Sequence, residues 1–282
     1  MKRYLLIFIF LYLELSNASE QMQVIEDSSW QFGVAYGFGE RTNPLVGSKD
    51  DRIPIIIHLT YDNDNFFFDN GDLGYYLTEG KSWELNVLAG LNSERHYFTY
   101  LNRMELNIAS DPNEPPGSSD SYHQVMIDPP KRDTTVDGGF ELLVDSELGD
   151  FQLQLLTDIS QKHKGQELWL GYNYTLKLND WKLEPGIALI FKSKNWTNYF
   201  YGVNSNEVVV DPNDQSVLRP FYFADESFNQ QIRIKLSYQL SKNWYVISLL
   251  EKELLDSNIK SSPIVKDNSI DTFFLGFYQK FN

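Results

Sequence analysis

The stretch Ser269–Phe281 reads SIDTFFLGFYQKF, and its pattern decides the fold class. Phe273, Leu275, Phe277 and Phe281 fall on one face of an extended chain, and Thr272, Gly276, Tyr278 and Lys280 fall on the other. Alternation with a period of two marks a strand with one apolar face. With a single residue after it, such a strand needs a partner on each edge. A closed barrel supplies both, because the last strand can pair with the first. On this stretch alone, the terminal strand of a β-sandwich is an equal alternative.

The remainder of the chain separates the two. Trp30, Phe32, Val34, Tyr36 and Phe38 alternate with Gln31, Gly33, Ala35, Gly37 and Gly39. Large apolar residues backed by small or polar ones suit a wall that meets lipid outside and crowded side chains inside. Alternation recurs over 53–61, 66–68, 83–91, 100–108 (weakly), 136–144, 151–159, 168–178, 181–191, 232–240 and 245–249, which makes about twelve strands in all. Tight polar turns near Asn63, Gly149, Asn179 and Lys242 follow even-numbered strands, whereas long loops near 110–133, 193–229 and 256–268 follow odd-numbered ones. The first of these loops carries Pro112, Pro115, Pro116, Pro129 and Pro130, which no central strand tolerates. Outer-membrane barrels sort short turns to one end and long loops to the other, and a sandwich has no reason to. The expected class is all-β, a transmembrane antiparallel β-barrel.

Composition agrees. Aromatic residues make up 15% of the chain, as barrels with aromatic girdles require. The mean hydropathy of −0.38 is too polar for a helical membrane protein. The absence of cysteine removes disulfides, thiolate nucleophiles and Cys-ligated metals. Residues 1–18 read as a cleaved signal peptide. Lys2 and Arg3 form its basic start, Leu5 to Leu13 its apolar run, and Ser16-Asn17-Ala18 its cleavage site. Residues 19–282 are then the barrel, placed in the outer membrane of a Gram-negative bacterium with lipid around it. The formal charge of −15 argues against a nucleic-acid partner.

Several local patterns carry a resemblance: Asp158 to Gly165 (DISQKHKG), Tyr199 to Val203 (YFYGV), Ser262 to Val265 (SPIV) and the near-terminal Phe281. In these the chain resembles the MipA/OmpV family, named for interaction with the murein transglycosylase MltA. The resemblance implies an outer-membrane barrel that in some members is a scaffold between a murein transglycosylase and a murein synthase. Other members are linked to adhesion or drug sensitivity. The candidate residues it marks are Asp158, His163, Gly165, Tyr199, Tyr201, Gly202, Val203, Ser262 and Pro263, with Phe273, Phe277 and Phe281 on the closing strand.

Signs of chemistry are few. His58, His96, His123 and His163 show no metal-site spacing, and no nucleophile elbow occurs. No catalytic residue, cofactor or metal is expected. His58 reads as a hydrogen-bonded interior residue, His163 as a solvated loop residue, and the Asp158 to Gly165 and Tyr199 to Val203 patterns as loop-folding residues and girdle aromatics at or near the outer rim. Predicted inward faces carry Asp137, Glu141, Asp145, Glu167, Lys177, Lys182, Glu184, Lys192, Arg233 and Lys235. Such charges either line a pore or pair across it, so a narrow, cation-preferring solute channel and an outer-loop adhesin stand beside the scaffold reading.

Overall fold

The computed structural model describes residues 29–98, 129–211 and 213–281. The expected signal peptide, the strand over 100–108, His123 and most of the proline-rich loop lie outside the described residues.

Twelve antiparallel strands close into one ring. They are β1 (Ser29–Arg41), β2 (Ile55–Asp62), β3 (Phe66–Asp69), β4 (Asp72–Glu79), β5 (Trp83–Leu91), β6 (Val136–Val144), β7 (Asp150–Asp158), β8 (Gln166–Asn173), β9 (Trp181–Lys192), β10 (Ser227–Ser241), β11 (Trp244–Leu254) and β12 (Ser269–Phe281). Each pairs with the next, and Leu176–Leu178 extends β8 against β9. The ring closes where β12 meets β1, in a register running from Phe32↔Phe281 to Arg41↔Thr272. Hydrocarbon offers backbone groups no hydrogen bonds, so closure of this seam is what permits strands to span it. Among the described residues no helix is long and apolar enough to cross a membrane.

One strand departs from expectation. β4, over 72–79, is a strand that the sequence reading did not include, and β5 pairs directly with β6. Its start hides in a tight turn, because β3 is only four residues long and Asn70 and Gly71 both take positive φ. The segment after this turn therefore goes without a strand in the sequence reading, although Leu73, Tyr75 and Leu77 alternate outward. The Asn70-Gly71 turn is also the exception to the loop sorting, a short connection at the end that otherwise carries long loops. The wall is low there and tall opposite, where β10 runs for fifteen residues.

Side chains obey the pleat. Ile55, Ile57, Leu73, Leu155, Ile187, Leu275 and Phe277 stand outward and exposed, forming the lipid-facing belt. Phe273 and Phe281 share that face and pack on their β1 neighbours Phe38 and Phe32, at ring separations of 5.5 and 5.3 Å. Inward positions are small where a large neighbour crosses them. At Gly74 a Cβ would collide with the ring of Phe67, which leans over it into the lumen.

The chain lacks cysteine, so single-cysteine variants report facing directly. In membranes opened to both sides, a charged maleimide should label Lys235→Cys and spare the adjacent, outward Ile234→Cys. The opposite pattern would overturn this register.

Candidate functional site

The long loops fold over the outer mouth. In the third of them, α2 (Lys194–Tyr201) places Trp196, Thr197, Phe200 and Tyr201 on one buried face, while its polar residues lie on the other. It stops at Gly202, where a Cβ would meet the carbonyl oxygen of Asn198. The last loop carries α3 (Ser257–Lys260), capped by the Asp256 side chain accepting from the Asn258 amide at 2.8 Å. These helices, the first loop and the top of β12 share one apolar core. Leu45, Trp196, Phe200, Tyr201, Val203, Leu255, Ile259, Ile264 and Ile270 are all buried there. The short α1 (Arg95–Phe98) lends Phe98, 5.8 Å from the Phe200 ring. Among the described residues a packed cap thus sits over the outer mouth.

The patterns singled out in the sequence meet in this cap. A Cβ on Gly165 would strike the backbone of Trp196, so the loop after β7 lies directly against α2. Ser262 Oγ donates to the Tyr201 carbonyl at 2.5 Å, and the Ile264 carbonyl accepts from the Val46 amide at 2.8 Å, with Pro263 between them. Tyr199 is half-buried and its hydroxyl accepts from the Asp133 amide at 3.0 Å. Tyr201 and Val203 are buried core residues and not girdle aromatics. The reason is helical: over 194–201 the apolar residues recur at a spacing of four, which the alternation of Tyr199, Tyr201 and Val203 masks.

His163 is the second correction. It is buried, not solvated. Its Nδ1 accepts from the Gly165 amide at 3.0 Å, so Nε2 carries the hydrogen donated to Asp137 Oδ1 at 2.9 Å. Asn92 donates to the other Asp137 oxygen. Asp158 accepts from Ser160 Oγ at 2.5 Å and from the Lys164 amide at 2.8 Å. Asp137, Asp158 and His163 cluster tightly enough, and with the right donor types, to pose the question of a metal centre. They do not fit one, because Nδ1 and all four carboxylate oxygens are already engaged by protein donors. The arrangement is a hydrogen-bonded knot that fixes the 159–165 loop. Sequence reasoning placed Asp137 only as an inward charge and had no signal for Asn92, which joins the knot from just after β5. His58 behaves as expected, facing inward with Asn70 Nδ2 at 3.2 Å from its Nδ1.

Beneath the cap lies a compact charge cluster. Lys192 Nζ sits 2.7 Å from Glu94, 3.7 Å from Glu253 and 4.2 Å from the centre of the Trp196 ring. Tyr201 donates to the second Glu94 oxygen at 2.6 Å, and burial, then Glu94, pushes its hydroxyl pKa well above the ordinary value. Breaking a buried pair by removing one member costs about 3–5 kcal/mol, so this cluster holds cap to wall. A second tie is Arg132, bonded to Glu207 at 2.5 and 3.3 Å and to the Gly202 carbonyl at 2.8 Å.

The opposite end is different. Tight turns join the strands there, and a cavity of about 560 Å³ opens among their inward residues. It is lined by Asp62, Asp69, Glu84, Glu141, Asp145 and Asp150 together with Asn86, Phe67 and Tyr76, and among the described residues no Lys, Arg or His lines it.

Comparison with known proteins matches residues 32–281 to the family model "MltA-interacting protein MipA". The chain is 22% identical to the MltA-interacting protein of Escherichia coli K12 over 89% of this chain and 90% of that one. It is 20% identical to the putative outer membrane protein YiaT of the same organism, over 89% and 91%. Outer membrane protein Omp26La of Vibrio anguillarum is 28% identical, over about half of each chain (48% and 50%). Among solved structures, a loop-deletion mutant of Vibrio cholerae OmpT aligns over 90% of this chain and 99% of its own, at 8% identity and a TM-score of 0.38.

Two outcomes are expected of the cap. Trp196→Ala should destabilise it by about 3–5 kcal/mol. Protease would then cut within 193–226 while the unheated gel mobility of the barrel is unchanged. Acid should loosen the same loop by another route. Burial raises the Glu207 pKa, but the hydrogen bonds from Arg132 and Asn204 outweigh it and hold the carboxyl below its ordinary value. A carboxyl lowered in the native state adds stability that is lost as pH falls through its native value. Cleavage should therefore rise below about pH 4, and Glu207→Gln should abolish that pH dependence.

Proposed function

We propose that this chain, which belongs to the MltA-interacting protein MipA family, is a non-enzymatic outer-membrane barrel that docks murein-processing partners from the periplasmic side. The observation that carries this reading is the asymmetry of the two ends. A packed apolar core and a buried ion cluster sit at the outer mouth, and this supports a barrel that does not conduct at rest. The short-turn end, periplasmic in barrels of this kind, stays open.

Short turns limit how such a partner can bind. No domain projects from the turns at 63–65, 145–149, 179–180 and 242–243. The surface on offer is the ring of turns and the acidic mouth within it, a flat platform and not a receptor arm. The E. coli relative carries the name MltA-interacting protein, and that name directs which partner to seek first. A murein transglycosylase and a murein synthase are the two partners of this reading.

The test pairs two measurements on the tagged protein. Crosslinking in the envelope should recover a murein transglycosylase or synthase, and planar bilayers should show no single-channel steps. Steady conductance with no murein enzyme recovered would sink the scaffold reading in favour of the channel.

A further inference from the structure

We infer that the loop between β9 and β10 is fastened to the membrane, with Phe221 and Phe223 seated among the lipids of the outer leaflet. This goes beyond the docking reading and does not depend on it. Val210, Val217, Leu218, Phe221 and Phe223 are each 39–57% exposed. Val210 and Val217 are partners in a short hairpin, and the two phenylalanines follow on the return to β10. Exposed apolar side chains gathered in this way mark a contact surface and not a solvated loop.

Local structure decides which way the phenylalanines point. The Tyr222 backbone pairs with Val203 through bonds of 2.8 and 3.1 Å, and its hydroxyl donates to the Asn258 carbonyl at 2.8 Å. Tyr222 packs on the cap core, and Ala224 is fully buried. Successive side chains of an extended chain alternate, so Phe221 and Phe223 turn away from the cap. Phe223 is held at the rim of the wall. Lys194, the first residue of α2 and just past the end of β9, places its Nζ 4.7 Å from the centre of the Phe223 ring and 3.5 Å from Asp225.

The height of that rim identifies the partner. Phe191 and Phe228 are paired on β9 and β10 and stand outward, 37% and 46% exposed. Trp181 and Tyr238 are paired near the other end of the same two strands, with ring centres 4.7 Å apart. From Tyr238 to Phe228 the outward face of β10 runs about 34 Å along the strand, at about 3.4 Å per residue. At a strand tilt of about 40° this is a height of about 26 Å, which matches the apolar band of outer-membrane barrels, about 25 Å tall. Phe191 and Phe228 therefore mark the outer interface, and Phe223, held beside Lys194, continues their aromatic surface at headgroup level. Aromatic rings, with a lysine ammonium lying over one of them, suit a membrane interface. A second copy of the chain is the other candidate occupant, but the patch is continuous with a surface that lipid already covers.

Bimane-labelled single-cysteine variants of the full chain in phosphatidylcholine vesicles test the inference, with lipid brominated near the headgroup end of its chains as the quencher. Labels on Phe221→Cys and Phe223→Cys should lose about half their fluorescence, as a label on the belt variant Phe228→Cys does, while Asp214→Cys in the exposed hairpin tip is unchanged. Phe221 is the more exposed of the two at 57%, so its variant alone carries the test without risk to folding, and unheated gel mobility checks every variant. Quenching at 221 and 223 no stronger than at 214, or equal access of aqueous iodide to all three, would overturn the inference. Shielding of 221 and 223 from both quenchers, lost when the protein is diluted with lipid, would assign the patch to a second copy and overturn the lipid reading.

Discussion

The seam between β1 and β12 is the constraint on which the rest depends. A strand edge left open in hydrocarbon would strand several backbone groups, each costing several kcal/mol. Phe32↔Phe281 to Arg41↔Thr272 satisfies them, and it does so between residues that are almost the whole chain apart. The seam also fixes which side chains face inward. Gly33, Gly37 and Gly276 line its lumen side, where Tyr278 crosses Gly33 and the backbones at Gly37 and Gly276 nearly touch. Aromatic pairs then cover its lipid side. Pleat and closure together assign every later residue to lipid or lumen.

Closure in turn creates the space that the loops fill. A ring of twelve strands leaves a lumen too wide for its own side chains to pack everywhere. At the outer end the protein solves this with a small hydrophobic core assembled from loops, and the polar groups pulled into it are paired. Lys192 meets Glu94 and Glu253, His163 meets Asp137, and Ser262 meets Tyr201. Buried polar groups are stable only when satisfied, so the cap behaves like the interior of a soluble domain seated on a membrane barrel.

The barrel was legible in the sequence because a period-two pattern against lipid is a strong signal, repeated strand after strand. Loop lengths sharpened it, since they alternate with strand parity. Legibility failed where the signal is long-range or of another period. The strand over Asp72–Glu79 was hidden by the positive-φ turn before it. The residues Trp196, Phe200 and Tyr201 follow a helical spacing inside a segment read only as a long loop. His163 looked solvated because Lys162 and Lys164 flank it, yet its partner Asp137 arrives from β6 and is held in turn by Asn92 just after β5, which no local reading can supply. The candidate residues Gly165, Tyr201, Val203 and Ser262 were found through resemblance, and their common place in the cap core emerges only in three dimensions.

The distribution of charge shows why the two ends must act differently. Several lysines and arginines of the described lumen and cap are neutralised close by. Lys182 and Lys235 both reach Glu184, Lys192 reaches Glu94, and Arg132 reaches Glu207. The acidic excess of the chain is therefore not spread evenly, and part of it stands unpaired on the inward faces of β2 to β7 near the periplasmic mouth. Low-dielectric walls concentrate the field of such a group of charges. An anion entering there meets repulsion, whereas a cation is drawn in. A lumen lined this way at its short-turn end favours one sign of charge there, whatever the outer loops do at the other end.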